Sequence, residues 1–198
     1  RDWRWRCLAS LSQSIRRLLS STHGPETKRK ERTHAGSSDE LKATVVLACD
    51  DRFIPFACVV ARQVVSHCGE TPRIIIVSDG VSDENKALAL AFCPQVAIVE
   101  AAPLLDGHNF GVSRQHSRAA YLSLFLDEIL GDEDRVVYLD CDVSLVTDIA
   151  PLLAILPRAS PVVAAHDLFI LVEGSFRSRL KMSEGAPYLN AGIMVLDL

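Results

Sequence analysis

From residue 42 onward, short runs of consecutive apolar residues alternate with longer stretches in which apolar positions recur every three or four residues. Ala43–Cys49, Arg73–Val77, Gln95–Val99, Arg135–Leu139, Val162–Ala165 and Leu189–Leu196 are runs of strand length, several rich in β-branched residues. Their near-continuous apolar character, without alternation, predicts strands covered on both faces. Between them, Ile54–His67 reads as a helix with Phe56, Val59, Val60, Gln63 and Val64 sharing part of one face. Ser82 is placed to cap a helix through Phe92, with Asp83 and Glu84 in its first turn complementing the helix dipole. Ser117–Leu130 reads as a third helix, ending at Gly131. Strands alternating with helices predict an α/β fold, Rossmann-like, with a mostly parallel sheet and helices on both faces.

In such sheets ligands bind beyond the carboxyl ends of the strands. Here those ends are Ala48-Cys49-Asp50-Asp51, Ser78-Asp79-Gly80, Leu139-Asp140-Cys141-Asp142 and His166-Asp167. Asp79-Gly80 reads as a turn. The segment with most chemistry is Asp140-Cys141-Asp142, two carboxylates two residues apart after a buried strand. In extended chain, residues i and i+2 point the same way. Two converging carboxylates suit a hard divalent cation, Mn²⁺ or Mg²⁺, which can neutralise charge on a phosphate leaving group. Without a cation the paired charges repel, and one pKa rises. His166 reads as a hydrogen-bonded strand-end histidine.

Several function classes are excluded. No G-x-G-x-x-G follows the first strand, and no phosphate-binding G-x-x-x-x-G-K-[ST] loop or G-x-S-x-G elbow is present. The net charge of -4 argues against a nucleic-acid partner, and no apolar run approaches the length of a membrane helix. Charge is unevenly spread: residues 1–40 hold nine Lys/Arg against five Asp/Glu, the remainder twelve against twenty. Residues 1–40 therefore read as a basic, poorly ordered extension and residues 41–198 as the domain. Within the extension Leu8, Leu11, Ile15, Leu18 and Leu19 fall at helical spacing beside Arg16 and Arg17, a pattern suited to peripheral membrane contact. The six cysteines show no C-x-x-C spacing and most lie in apolar runs. They read as buried free thiols of a reducing compartment, which makes the expected location cytoplasmic. A chain that starts at Arg1 and stops at Leu198 within an apolar run reads as a fragment, truncated at its C-terminus.

Three segments in order resemble glycosyltransferase family 8, the group of bacterial lipopolysaccharide galactosyl- and glucosyltransferases and glycogenin. They are Leu47-Ala48-Cys49-Asp50-Asp51, Tyr138-Leu139-Asp140-Cys141-Asp142, and Tyr188-Leu189-Asn190-Ala191-Gly192-Ile193-Met194-Val195-Leu196-Asp197, spread over residues 43–198. The resemblance implies a GT-A fold and transfer of a hexose, with retention, from a nucleotide-sugar (a UDP-sugar) to a glycan or lipopolysaccharide-type acceptor. It implies that Asp140 and Asp142 hold Mn²⁺ against the diphosphate. Ala48 and Asp50 would meet the uracil, Phe53 would stack on it, and Asp167 and Asn190 would contact the donor sugar near the acceptor. Acceptor selection would lie in loops such as Ala102–Arg114 and Leu168–Ala186.

Two departures accompany it. The family has Arg two residues after the Tyr of the preceding helix; here Tyr121-Leu122 is followed by Ser123, although Arg114 or Arg118 could substitute. Its later acidic-Gln-acidic and His-Gly-Lys segments are absent, so little turnover is expected of this fragment. Two rival readings follow: a haloacid-dehalogenase-type phosphohydrolase using Asp140 and Asp142, and a transferase-like module that binds without catalysis.

Overall fold

The computed structural model describes residues 44–108, 110, 117–155, 160–168, 174–183 and 185–198. The basic extension, with Cys7, lies outside them, as do most of the residues between Asn109 and His116.

In chain order the elements are β1 (Thr44–Asp50), a single 3-10 turn (Asp51–Phe53), α1 (Ile54–His67), β2 (Arg73–Asp79), α2 (Asp83–Phe92) and β3 (Val96–Glu100). Then come α3 (Ala102–Leu105), a 3-10 segment (Arg118–Leu124), α4 (Leu126–Ile129), β4 (Arg135–Leu139) and α5 (Ala150–Leu153). The last described elements are β5 (Val162–His166), α6 (Gly174–Arg179) and β6 (Leu189–Asp197). The strands form one sheet in the order β3-β2-β1-β4-β6-β5. β1 pairs in parallel with β2 and β4, and β2 with β3; β6 runs antiparallel to both β4 and β5. Five strands therefore point one way and β6 the other. Because it is reversed, β6 starts where β4 ends.

β1 shows why continuous apolar runs were needed. Val45, Leu47 and Cys49 face a core shared with Ile54, Ala57, Val60 and Val64 of α1. Val46 faces the opposite core, with Tyr121, Leu122 and Leu126. Both faces are thus buried, and each fully buried aliphatic side chain contributes about 1.5–3 kcal/mol. On α1 the buried stripe is Ile54, Ala57, Cys58, Ala61 and Val64, with Val60 beside it. Phe56 and Val59, expected on that face, point outward and are about half exposed, at 55% and 49%. The inner stripe holds Ala57, Cys58 and Ala61 between the larger Ile54 and Val64, and Phe56 and Val59 lie off it.

Ser82 caps α2 as expected, its Oγ accepting from Asn85 N at 3.3 Å. The helix expected over Ser117–Leu130 is different. It winds as a 3-10 segment, breaks at Phe125 (φ -121°) and resumes as the single turn α4. Three residues per turn stack i on i+3, and the tighter winding lines up Ala119 and Leu122, both buried, against the sheet. Phe110 stacks on Tyr121 at 4.3 Å between ring centres, fixing the segment from outside.

Candidate active site at the ends of β1 and β4

Ala48, Asp50, Phe53, Asp140 and Asp142 line one open cleft, of about 210 Å³, together with Cys49, Tyr138, Cys141 and the wall Ser117, Ala119, Ala120. The five residues are brought together by the parallel pairing of β1 with β4, which aligns Leu47 with Leu139 and lets both strand ends open on the same side.

The extended-chain argument holds for Tyr138 and Asp140 rather than for Asp140 and Asp142. Tyr138 Oη donates to Asp140 Oδ1 at 3.0 Å. Beyond Asp140 the chain turns, with Val143 N reaching Asp140 O at 3.4 Å, and the turn carries Asp142 to the cleft. Burial pushes the Asp140 carboxyl above its ordinary pKa; the Tyr138 hydrogen bond opposes this and the Asp142 charge adds to it. Burial, then the neighbouring Asp140, raises the Tyr138 phenol well above its ordinary value, so it stays a donor. A half-buried and an exposed carboxylate repelling across a cleft, both oxygen donors, fit a hard divalent cation. Among the described residues no cluster of three or more metal-ligating side chains exists, and the carboxylates at this cleft are the pair with Asp50 nearby.

Asp50 caps the turn after β1: its Oδ1 accepts from Arg52 N at 3.0 Å and its Oδ2 pairs with Arg52 Nη2 at 2.9 Å. Each carboxylate oxygen keeps acceptor capacity beyond these bonds. The adjacent Asp51 is a structural acid. Its Oδ1 accepts from Ser82 N, Ser82 Oγ and Asn85 Nδ2, each at 2.8 Å, tying β1 to α2. These bonds, the Ser82 amide foremost, hold its pKa below the ordinary value. Phe53 is 39% exposed and leans on Phe56 at 5.6 Å, leaving ring surface open to the cleft.

Asp167 and Asn190 do not line this cleft; they stand at the adjoining ends of β5 and β6. Asp167 N donates to Tyr188 O at 2.9 Å, which sets the end of β5 against the start of β6. Asn190 Oδ1 accepts from Gly192 N at 2.9 Å, and Gly192 O accepts from Asp140 N at 2.8 Å. A Cβ on Gly192 would stand 3.1 Å from both Asn190 Oδ1 and Asp140 Oδ2. Glycine is there so that the Asp140 carboxylate can lean over the β6 backbone.

Sequence reasoning gave no role to three participants, Tyr138, Gly192 and the Ser117–Ala120 wall, and it named Arg118 only as a substitute cation, whereas the structure pairs it with Asp79 and Asp106. The same i, i+2 rule applied one step upstream finds Tyr138. Asp79, expected to be only a turn residue, is paired with Arg118 at 2.7 Å, while Gly80 does make the turn with φ 73°. His166 is the last residue of β5, paired in register with Leu189. All five described cysteines are free thiols, Cys49, Cys58, Cys93 and Cys141 buried.

A sheet of this order, with a carboxylate pair beyond β4 and a reversed strand beside it, defines an α/β domain of the GT-A type. The family described as Glycosyl transferase family 8 matches residues 44–198, and the chain belongs to that family. It is similar to the galactosyltransferase LgtC, solved with donor and acceptor sugar analogs, at 27% identity and a TM-score of 0.70 over 78% of this chain and 57% of that one. The fold is shared with the bifunctional glycosyltransferase WbbM, at 20% identity and a TM-score of 0.64 over 82% of this chain and 32% of that one. General stress protein A of Bacillus subtilis (strain 168) is 24% identical over 135 residues, 63% of this chain and 44% of that protein. The chain thus spans about half the length of General stress protein A and of LgtC, and about a third of WbbM. Among the described residues no helix is long and apolar enough to cross a membrane.

Proposed function

We propose that the protein is a metal-dependent, retaining glycosyltransferase that moves a hexose from a UDP-sugar to a glycan or lipopolysaccharide-type acceptor. The observation that carries this is one cleft holding Asp140, Asp142, Asp50, Ala48 and Phe53 in a family 8 chain. Asp140 and Asp142 would hold Mn²⁺, or Mg²⁺ in its place. Bound there, the ion would supply electrostatic stabilisation to the departing diphosphate, with no protein acid required. Asp50, fixed by Arg52, offers acceptors to a base N–H; the Ala48 backbone lies beside it, and the open ring of Phe53 offers a stacking surface. Asn190 and Asp167, on the far side of Asp140, offer donors and acceptors to sugar hydroxyls.

A second reading is a module that binds nucleotide without turnover. It is favoured by Ser123, whose Oγ turns back to Ala120 O at 3.4 Å and brings no cation to the cleft. Arg118, the proposed replacement, is engaged by Asp79 and Asp106. The phosphohydrolase alternative gains no support, because the carboxylate pair follows the fourth strand of a family 8 chain. Buried free thiols support a cytoplasmic location, and the basic extension supports contact with the membrane periphery.

Calorimetric titration of the protein with UDP, with and without Mn²⁺, tests the reading. UDP should bind only with the metal, and Asp142→Asn should abolish that binding. Equal UDP binding without metal, or by the Asp142→Asn variant, would refute it. Sugar transfer from a UDP-hexose then separates the enzyme from the silent module.

A further inference from the structure

The cleft wall Ser117–Ala120 opens the 3-10 segment, whose later residues Tyr121 and Leu122 are packed in the core. Ser117 gives the 3-10 segment no side-chain cap, and the turn's first backbone bond, Ala120 N to Ser117 O, is long at 3.3 Å. The anchor comes from Arg118 instead. Its Nη2 reaches Asp79 Oδ1 at 2.7 Å and its Nε reaches Asp79 Oδ2 at 3.3 Å, a two-pronged grip on the end of β2. Its Nη1 reaches Asp106 Oδ1 at 2.9 Å, in the turn after α3. The Asp79 side chain is only 8% exposed, so removing Arg118 would leave a buried carboxylate without its ion-pair partner. Asp79 also pairs in register with Asp50, the acid proposed to meet the base. The guanidinium is thus bolted next to the nucleotide end of the cleft.

We propose that Arg118 is a positioning residue of the donor site: by bridging Asp79 and Asp106 it fixes the Ser117–Ala120 wall, and nucleotide affinity depends on that bridge. The inference rests on the nucleotide-binding reading above for its ligand, though not for the clamp itself. Arg118 acts through the wall and not as a phosphate-binding cation, since two carboxylates already share its charge. A planar fork is required: lysine presents a point charge and cannot grip one carboxylate with two prongs while reaching another.

Two measurements test it, on the whole chain. Amide hydrogen exchange without ligand reads the clamp alone. Arg118→Ala should speed exchange at residues 119–124 while β1 and β4 stay as protected as in the wild type. UDP titration with Mn²⁺ reads the consequence, and Arg118→Ala should weaken binding by about 10- to 100-fold, the scale on which small displacements of site groups act. Arg118→Lys should fail to restore it, and Asp106→Asn should show a weaker version of the same loss. Wild-type UDP affinity in Arg118→Ala overturns the proposal. So does exchange that rises across the whole sheet, since Arg118 would then serve the fold and not the wall. If the wild type binds no UDP, the nucleotide reading fails; the exchange data still decide whether the clamp exists.

Discussion

Gly192→Ala isolates the contact between β6 and the Asp140 carboxylate, the proposed metal ligand. The new Cβ would stand 3.1 Å from Asp140 Oδ2 and 3.1 Å from Asn190 Oδ1, a few tenths of an ångström too close. One neighbour must yield. Asp140 is held by the 3.0 Å bond from Tyr138 and, through its backbone, by the 2.8 Å bond to Gly192 O. Asn190 is held by the 2.9 Å bond from Gly192 N. Losing one such bond costs about 0.5–1.5 kcal/mol. Alanine in a strand recovers about 0.5–1 kcal/mol over glycine. The net effect on stability is therefore on the order of 1 kcal/mol or less, a fall in melting temperature of at most about 2–4 °C. Displacing Asp140 should weaken Mn²⁺ by about 10- to 100-fold, the usual consequence of disturbing what orients a ligand. Thermal denaturation and a Mn²⁺ titration read by the paramagnetic signal of free ion, with UDP and without, separate the two effects. Mn²⁺ affinity within twofold of wild type would show that the Gly192 contact does not set the carboxylate, and the reasoning would be wrong.

Glu100 offers a test of the support behind the site. It accepts from Gly80 N (2.9 Å), Ala102 N (3.1 Å), Ser78 Oγ (3.1 Å) and Val81 N (3.4 Å). Burial alone would raise its pKa, but these four bonds hold it below the ordinary 4.5. Its stabilisation is therefore complete above pH 4.5, the unfolded value, and lost as pH falls through the lower folded value. Glu100→Gln should cost about 1–2 kcal/mol at pH 7, allowing for solvent exposure. Urea melts should show that difference shrinking below pH 4.5, and a constant difference down to pH 3 would contradict the assignment. Thiol labelling with peptide mapping checks the core. Among the described cysteines the half-buried Cys68 should react first at pH 7, while Cys49, Cys58, Cys93 and Cys141 wait for unfolding. Hydrogen bonding to Cys49, then burial, pushes the Cys141 thiol far up, so early labelling of Cys141 would be a clear failure.

What could be read in the chain and what could not divides along physical lines. Strands such as Arg135–Leu139 and caps such as Ser82 are written in consecutive residues, and the structure keeps them to within a residue or two. Of the five cleft residues, Ala48, Asp50, Asp140 and Asp142 lie in segments that one topological rule about strand ends picks out, whereas Phe53 came from the family resemblance. Other features depend on partners distant in sequence. The outward turn of Phe56 and Val59 reflects which side of α1 is turned to the sheet, which periodicity alone does not register. The 3-10 winding of Arg118–Leu124 follows from packing against β1 and Phe110, since its residue types also suit an α-helix. The reversal of β6 is equally invisible in its composition, because a buried strand reads the same in either direction. Arg118 with Asp79 and Asp106 is legible only once β2, α3 and the 3-10 segment are side by side.

The place of β6 in the sheet has a consequence for biosynthesis. β6 sits between β4 and β5 in the sheet yet is the last of the six strands to leave the ribosome. Until it emerges, β3, β2, β1 and β4 can pair, but β4 presents an open apolar edge and β5 has no neighbour in the sheet. Exposed edges of this kind template association with other chains. Gly192 and Asn190 arrive on the same strand that closes the edge, so Asp140 gains its backbone partner in the step that ends the hazard. A nascent chain stalled before residue 189 would be a client for chaperones as well as an incomplete site.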